Sequence, residues 1–572
     1  MGGLKIHRLL DKQVQVVLFS STAIALYGYD QGMMSLINTN QSYLSTMGIS
    51  KESPLVGVIV SVYYIGCAGG AVVASWFADR NGRRPGIFAC LATATFGNLL
   101  MFVAGLGELG HNTKVSLGTM LAGRIIMGLG VGGIDAVVPV YSSELSNDDA
   151  RGVALAQEFQ ANILGLNMAF IVNLVATHQL GKSSQWAWRI PIIVMQIYSA
   201  ILFAGVNLLP ETPRWLVMHD KHEQAKKAIA NAFGSDQVES RMTDLTDAHE
   251  QEQKDGSVSY GDMLWPSGSQ FHPTFITIMG QVNQALTGYG AVSVYGTLSI
   301  VVDTHIPNTI LFFVTGLDTY HFPQLNSITG PQIFQLLRFS TTTSEFLTLG
   351  NYLLYLLSMT VTWLIIDRFG RRRLMLLGST TLSISFTLLT ILAGLAYHSP
   401  SLHISPLPPG IPGIMLLYIA TSIFGITWLV PPWLIPTEIY PSTARAQGAA
   451  ISVVVWGLAN FAVTLLTPIG FNSLEYFLLL VFAATNLMAG ALTWAFCPET
   501  GRRSFEENQK FFKEAKDEKE GTWFVRAVRK GEFGYLPSTD GREDGRDQED
   551  DDDGDDCGDR GETRPLLGSS SQ

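Results

Sequence analysis

The sequence predicts an all-α membrane protein with twelve transmembrane helices in two pseudo-symmetric bundles of six. Three observations carry that prediction. About a dozen segments are long and apolar enough to cross a bilayer, charge is bunched into the connections between them, and one set of polar motifs occurs twice in the same order. Of the 572 residues, 47% are hydrophobic and 15% charged, against roughly a quarter charged in an ordinary soluble domain.

A spanning helix needs about 20 mostly apolar residues. Segments that meet this rule lie near 14–36, 54–77, 86–106, 117–140, 152–176 and 188–209, and after a polar break near 272–302, 348–366, 374–396, 412–436, 446–470 and 476–497. Positive charge orients them. Lys5, Arg8 and Lys12 precede the first segment, Arg80, Arg83 and Arg84 follow the second, and Arg368, Arg371, Arg372 and Arg373 follow the eighth. The alternate connections are poor in Lys and Arg, which predicts cytoplasmic termini. Asn40-Gln41-Ser42 then falls outside and reads as a glycosylation triplet.

The organisation that follows is an N-terminal bundle over 1–209, a cytoplasmic linker over 210–271 and a C-terminal bundle over 272–497. The linker holds Lys221, Lys226, Lys227, Glu250, Glu252 and Lys254, with an amphipathic helical period around Glu223–Phe233. The tail, 498–572, begins helical (Phe505–Lys519) and turns acidic and low-complexity after about 537. Its run from Glu549 to Asp556 supplies much of the net charge of -11. The N-terminus has no cleavable signal pattern. Four cysteines without ligand spacing suggest no metal site and no disulfide framework, and nothing implies a cofactor.

The repeat is the strongest of the three observations. Asp79-Arg80-Asn81-Gly82-Arg83-Arg84 recurs as Asp367-Arg368-Phe369-Gly370-Arg371-Arg372. Glu144…Arg151-Gly152 recurs as Glu438…Arg445…Gly448, and Pro210-Glu211-Thr212 as Pro498-Glu499-Thr500. Near-constant displacement in one order implies a duplicated six-helix unit, repeated in parallel about an axis along the membrane normal.

With Gly28-Tyr29-Asp30-Gln31-Gly32, Gly123-Arg124 and Pro213-Arg214, these motifs make the chain resemble the sugar porters of the major facilitator superfamily, in their fungal-type form. The resemblance covers roughly residues 10 to 510. It implies alternating access, with the halves rocking about a central site. It also implies a cytoplasmic gate that latches the inner face, made by Asp79, Arg80, Arg83, Arg84, Glu144 and Arg151. The second copy supplies Asp367, Arg368, Arg371, Arg372, Glu438 and Arg445. The same arginines enforce topology.

Asp30 lies about six residues, roughly 9 Å, below the outer end of its segment, and Arg124 about seven residues, roughly 10 Å, inside the fourth from that face. They can pair at matching depth, and an ionisable group inside a span is functional by default. In proton-coupled sugar porters an Asp and an Arg at these positions form the coupling switch. The resemblance therefore implies proton symport here; a structural ion pair is the alternative.

The same resemblance assigns solute contacts to Gln284, Trp433 and Asn460, and around them the chain departs from the family. Ala285 replaces the second glutamine of a pair, and Gly290 replaces an asparagine. Phe159 stands at the usual glutamine of span 5, although Gln157 and Gln160 flank it. Tyr355 and Trp456 each stand where the family has asparagine. Each lost donor or acceptor is costly around a desolvated hydroxyl, so the pocket should be more aromatic and less polar than a hexose site. Asp135, eleven residues after Arg124, is expected to face the cavity. It binds solute hydroxyls or a cation, or stands as a buried, hydrogen-bonded acid.

These readings predict a secondary active transporter that imports a sugar, a polyol or a related small solute with protons. The alternatives are a transporter-like nutrient sensor and a carrier of a non-sugar solute; the Asp30–Arg124 pair favours transport. No nucleophile–base set, phosphate loop or metal cluster suggests an enzyme, and nothing suggests a nucleic-acid partner. The run Gly128-x-Gly130-x-Gly132-Gly133 lies inside a span, where it permits close helix contact. Residues 297–330 have no counterpart in the family pattern, and removing them would join Gly296 to Pro331-Gln332-Ile333-Phe334. They are expected to be translated intron sequence. In the tail, Glu562, Leu566 and Leu567 fit an acidic dileucine signal for a sorting adaptor. Plasma membrane is the expected location, with vacuolar or endosomal membrane the alternative.

Overall fold

The computed structural model describes residues 12–50, 53–107, 112–145, 151–255, 258–266, 268–288, 341–398, 407–441, 444–503, 507–508 and 511–512. Every regular element among them is helical. The N-terminal half forms α1 (Lys12–Ile37), the short α2 (Gln41–Met47), α3 (Pro54–Asn81), α4 (Arg83–Val103), α5 (Thr113–Leu145), α6 (Arg151–Leu180) and α7 (Gln185–Val206). Small helices follow: α8 (Pro213–Met218), α9 (His222–Phe233), α10 (Val238–Asp255) and α11 (Tyr260–Leu264). The C-terminal half forms α12 (Phe271–Leu286), α13 (Thr341–Phe369), α14 (Arg371–Tyr397), α15 (Leu407–Thr427), α16 (Pro431–Ile439), α17 (Arg445–Leu474) and α18 (Leu478–Phe496).

Ten stretches among the described residues are long and apolar enough to cross a membrane, α15 and α16 counting as one. The more polar α1 and the sixteen-residue α12 occupy the places of the first and seventh expected spans. The tenth span, expected unbroken over 412–436, is interrupted at Trp428–Val430. Pro431 and Pro432, which lack N–H donors, start the new helix there. Residues 289–340 lie outside the description, so Gly290 and the expected insertion 297–330 do too. So do the dileucine residues Glu562, Leu566 and Leu567 and most of the tail.

The packing is that of a protein solvated by lipid. Leu357 and Leu364 are 67% and 61% exposed on α13, whereas asparagines are buried where helices meet. Asn162 Nδ2 donates to the Ile24 carbonyl at 3.3 Å, and Asn173 Nδ2 to that of Met33 at 2.7 Å, joining α6 to α1. Interhelical hydrogen bonds of this kind supply cohesion where lipid removes the hydrophobic drive between helices. Glycine supplies the rest. A Cβ at Gly70 of α3 would lie 2.0 Å from the Leu129 carbonyl oxygen of α5, and one at Gly132 of α5 would lie 2.2 Å from that of Cys67. The two helices touch backbone to backbone. Between the halves, α3 packs on α17 and α6 on α13.

In the linker, Ala225, Ala228, Ile229 and Ala232 form the buried face of α9 at helical spacing. Ser259 caps α11 in a reciprocal box with Asp262, and its hydrogen bonds hold the Asp262 carboxyl below its usual range. Asn40 does not suit a glycan. It is 3% exposed, its side-chain oxygen caps α2 by accepting from the Tyr43 N–H, and its amide points to the Ser184 carbonyl.

Candidate functional site

Between the halves lies a narrow cavity with an aromatic wall: Tyr27, Tyr64 and Phe159 from one half, and Phe424, Trp433 and Trp456 from the other. Five of the rings, all but Phe424, form a connected set. Trp456 contacts Tyr27 at 5.4 Å, Tyr64 at 5.3 Å and Trp433 at 5.9 Å, and Trp433 contacts Phe159 at 5.5 Å between centroids. Gln31, Asn162, Gln284 and Asn460 are its amide groups.

All four are already engaged: Gln31 Nε2 donates to the Tyr27 hydroxyl, and Asn162 Nδ2 to the Ile24 carbonyl. Gln284 donates to the carbonyls of Trp428 and Leu429 at 2.8 and 2.9 Å, two acceptors left free where the tenth span breaks, and accepts from Trp433 Nε1 at 3.2 Å. Asn460 donates to the Trp456 carbonyl at 2.8 Å. Of the residues expected to touch solute, Gln284, Trp433, Asn460, Phe159 and Trp456 line the cavity, while Asp135 and Tyr355 do not. Tyr355 packs behind it against Phe424 and Gly425. Asp135 is 4% exposed, and neither of its oxygens has a hydrogen-bond partner among the described residues. Sequence reasoning missed Tyr27, Gln31, Tyr64, Asn162 and Phe424. Gln31 alone carried a signal, as the residue after Asp30 in the Gly28–Gly32 motif.

Asp30 and Arg124 meet. Their Oδ1 and Nη1 atoms are 2.6 Å apart, with side chains 1% and 2% exposed. The guanidinium also donates to the Ile59 and Val60 carbonyls and lies over the Tyr63 ring, 4.5 Å from its centroid. Asp30 Oδ2 has the Tyr63 hydroxyl beside it, although neither atom makes a hydrogen bond of good geometry among the described residues.

The repeated motifs build two matching charge clusters. The six-residue motif is not a loop but a single-residue break: Gly82, at φ 108°, separates α3 from α4, and Gly370, at φ 84°, separates α13 from α14. A Cβ at either would strike the glutamate behind it, Glu211 or Glu499, at 2.6 or 2.3 Å. Glu211 accepts the backbone N–H groups of Arg83 and Arg84, and Glu499 those of Arg371 and Arg372, so each carboxylate caps a helix start. Burial pushes the Glu211 carboxyl above its usual range against the pull of those N–H groups. Arg83 bonds Asp79 and Glu144, and Arg371 bonds Asp367 and Glu438. Arg84 and Arg372 reach the terminal carbonyls of α7 and α18.

Arg80 and Arg368 are exposed, with Arg80 over the Trp76 ring; Arg445 is half-buried at the start of α17. Arg151 begins α6, and its side chain lies outside the description. The capping roles of Glu211 and Glu499 were missed, although the repeated Pro-Glu-Thr at the motif's own displacement was their signal.

Contacts join the halves on both sides of the cavity. On the motif side, a Cβ at Gly152 would lie 2.5 Å from Asp367 Oδ1, and the Ser75 hydroxyl donates to the Ala446 carbonyl at 3.2 Å. At the opposite end Lys182 Nζ lies 2.9 Å from Glu345 Oε1.

A paired-bundle fold, a cavity between the halves and duplicated charge clusters together describe a carrier. The family model "Sugar (and other) transporter" matches residues 16–317 and 324–512. The chain belongs to that family. The match runs through 297–317 and 324–330, most of the interval expected to be an insertion, and breaks only at 318–323. The MFS-type transporter oryC of Aspergillus oryzae is 26% identical, over 87% of this chain and 85% of its own. Sugar transporter STL1 of Saccharomyces cerevisiae is also 26% identical, over 89% and 83%. The glucose facilitated diffusion protein of Zymomonas mobilis is 25% identical, over 88% and 98%. In fold, the chain matches the proton:xylose symporter XylE bound to 6-bromo-6-deoxy-D-glucose at TM-score 0.67 and 20% identity, over 88% of this chain and 99% of that one. The protein is thus a multi-pass membrane protein of the sugar porter family with the major facilitator fold, and its relatives are transporters rather than enzymes.

Proposed function

We propose that this chain imports a sugar or polyol together with protons, by alternating access between halves 1–209 and 272–497, with the motif side and both termini cytoplasmic. The observation that carries this reading is the buried Asp30–Arg124 pair at 2.6 Å. An ion pair in a bilayer core is costly to keep, and protonating Asp30 would free Arg124 and shift the balance between conformations. The solved protein of similar fold is named a proton:xylose symporter, which supports the reading. The aromatic wall suits the apolar face of a ring or polyol chain, and Gln31, Asn162 and Asn460, each with one N–H already used, offer their second N–H and their oxygen to hydroxyls. The two charge clusters act as the cytoplasmic gate, residues 210–271 link the halves on that side, and the plasma membrane is the site of import.

In proteoliposomes offered D-glucose, D-xylose and mannitol, wild type should accumulate at least one of them uphill under an inward proton gradient. Asp30→Asn should lose that accumulation while counterflow of the same solute persists. Undiminished accumulation by the variant would remove the role assigned to Asp30.

A further inference from the structure

Besides Asp30 and the glutamates of the charge cluster, two buried carboxyl groups stand among the described residues of the N-terminal half, and the cavity accounts for neither. Asp135 is 4% exposed with both oxygens lacking a hydrogen bond among the described residues. Glu158 is 1% exposed; the Ser142 hydroxyl donates to its Oε1 at 2.6 Å, and its Oε2 has no such partner. A carboxylate buried without a cation is expensive, and intramembrane acids of this kind mark ion or proton routes.

Their placement is ordered. Arg124, Asp135 and Ser142 are on α5 at separations of about three and two turns, so all three share one face of that helix. They divide it into steps of roughly 16 and 10 Å at 1.5 Å per residue. Asp30 pairs with the first and Glu158 bonds the last. Tyr63 and Cys67, one turn apart on α3, are each within electrostatic reach of both Asp30 and Asp135, and Tyr27 of α1 is within reach of Asp135. The Tyr63 hydroxyl is itself buried, with no hydrogen bond of good geometry among the described residues. At the other end, Glu158 and Ser142 line a crevice between the halves, with Leu434 and Thr437 across it on α16. That crevice is on the motif side of the cavity, since Ser142 and Thr437 are in the last turns of α5 and α16.

We infer that the coupling proton crosses the N-terminal half along this face of α5, from Asp30 past Tyr63 to Asp135 and on to Glu158, which releases it on the motif side. This rests on the proton-coupled reading above. Each transfer breaks one O–H bond and forms another; Tyr63 gives up a proton as it receives one, so no charge stays on it. Water entering as the halves part must carry the step from Asp135 to Glu158, which is too long for a direct hop. The net change is one proton moved down its gradient, and no other reactant is needed.

The test reads proton entry, by a trapped pH dye, in proteoliposomes transporting whichever of D-glucose, D-xylose and mannitol supports counterflow. Proton entry is divided by each variant's own solute flux, so a misfolded fraction cancels. Asp135→Asn and Glu158→Gln should each lower protons per solute at least fivefold, as Asp30→Asn does. If either keeps the wild-type ratio while Asp30→Asn loses it, the route is wrong and the Asp30 switch stands. If wild type moves no protons with solute, or transports none of the three, the proton-coupled sugar reading fails and the route fails with it.

Discussion

In the C-terminal half Arg371 lies 2.7 Å from Glu438 and 2.8 Å from Asp367, and the Thr500 hydroxyl donates to the second oxygen of Glu438 at 2.6 Å. In the N-terminal half the equivalent Arg83 bonds Asp79 but reaches Glu144 only at 3.3 Å. Thr212 stands beside Glu144 in the place of Thr500, but its hydroxyl makes no hydrogen bond among the described residues. The same residues in the same order thus hold the glutamate tightly in one cluster and leave it slack in the other. The cross-half contacts follow the difference. Gly152 of the N-terminal half abuts Asp367 and Arg371, whereas its counterpart Gly448 abuts Tyr440 of its own half. The duplication kept the parts and divided the work: the tight cluster is the surface against which the other half closes, and the slack one sits in the half that carries Asp30.

The substitution that breaks this comparison most severely is Gly152→Val. A side chain there meets Asp367 and Arg371 across the interface, so closure of the motif side is blocked while each half keeps its own packing. Uptake at matched surface expression should fall by at least about tenfold, the effect of roughly 1.4 kcal/mol against the closed state. Gly448→Val instead meets the Tyr440 ring within one half, and should lower the amount of folded protein. Normal uptake by Gly152→Val would show that the halves do not close on Asp367.

Next in size is loss of the central arginines. Removing one partner of a buried ion pair costs about 3–5 kcal/mol because a charge is left unpaired. The carboxylates here keep some exposure, 14% for Glu438 and 32% for Asp367, so the lower end applies. Arg371→Met should therefore lower the thermal midpoint in detergent by more than Arg83→Met. Equal shifts would mean that the difference in closure carries no energy.

The sequence made the spans legible because lipid imposes a coarse requirement, length and apolarity, that any window reveals. The break at Trp428–Val430 was less so: apolar residues continue through it, and only the Pro431-Pro432 pair marks the new helix start. The Asp30–Arg124 pairing could be anticipated because depth along a helix follows from residue count. Which way a side chain turns about that helix does not. Asp135, at the right depth for a cavity residue, turns toward Tyr27, Tyr63 and Cys67. Gln284 reads as a ligand for solute, yet its amide holds the broken helix end. That role depends on a partner 144 residues away, which no local pattern announces.

The finest contrast is between the two threonines. Thr500 donates to a carboxylate already bonded to an arginine, and a hydrogen bond to a charged group contributes about 1.5–3 kcal/mol. Thr500→Val keeps the shape and removes the donor, leaving Glu438 Oε2 without it; a loss of about 1.5 kcal/mol is expected, since Glu438 is partly exposed. Thr212→Val removes a hydroxyl that makes no hydrogen bond among the described residues, so its stability should change by less than about 0.5 kcal/mol. Thermal midpoints of the two variants, measured side by side in one detergent, decide the matter. If Thr212→Val costs as much as Thr500→Val, Thr212 does reach Glu144 in the working protein. The difference between the halves would then rest on Gly152 and on the longer Arg83–Glu144 contact.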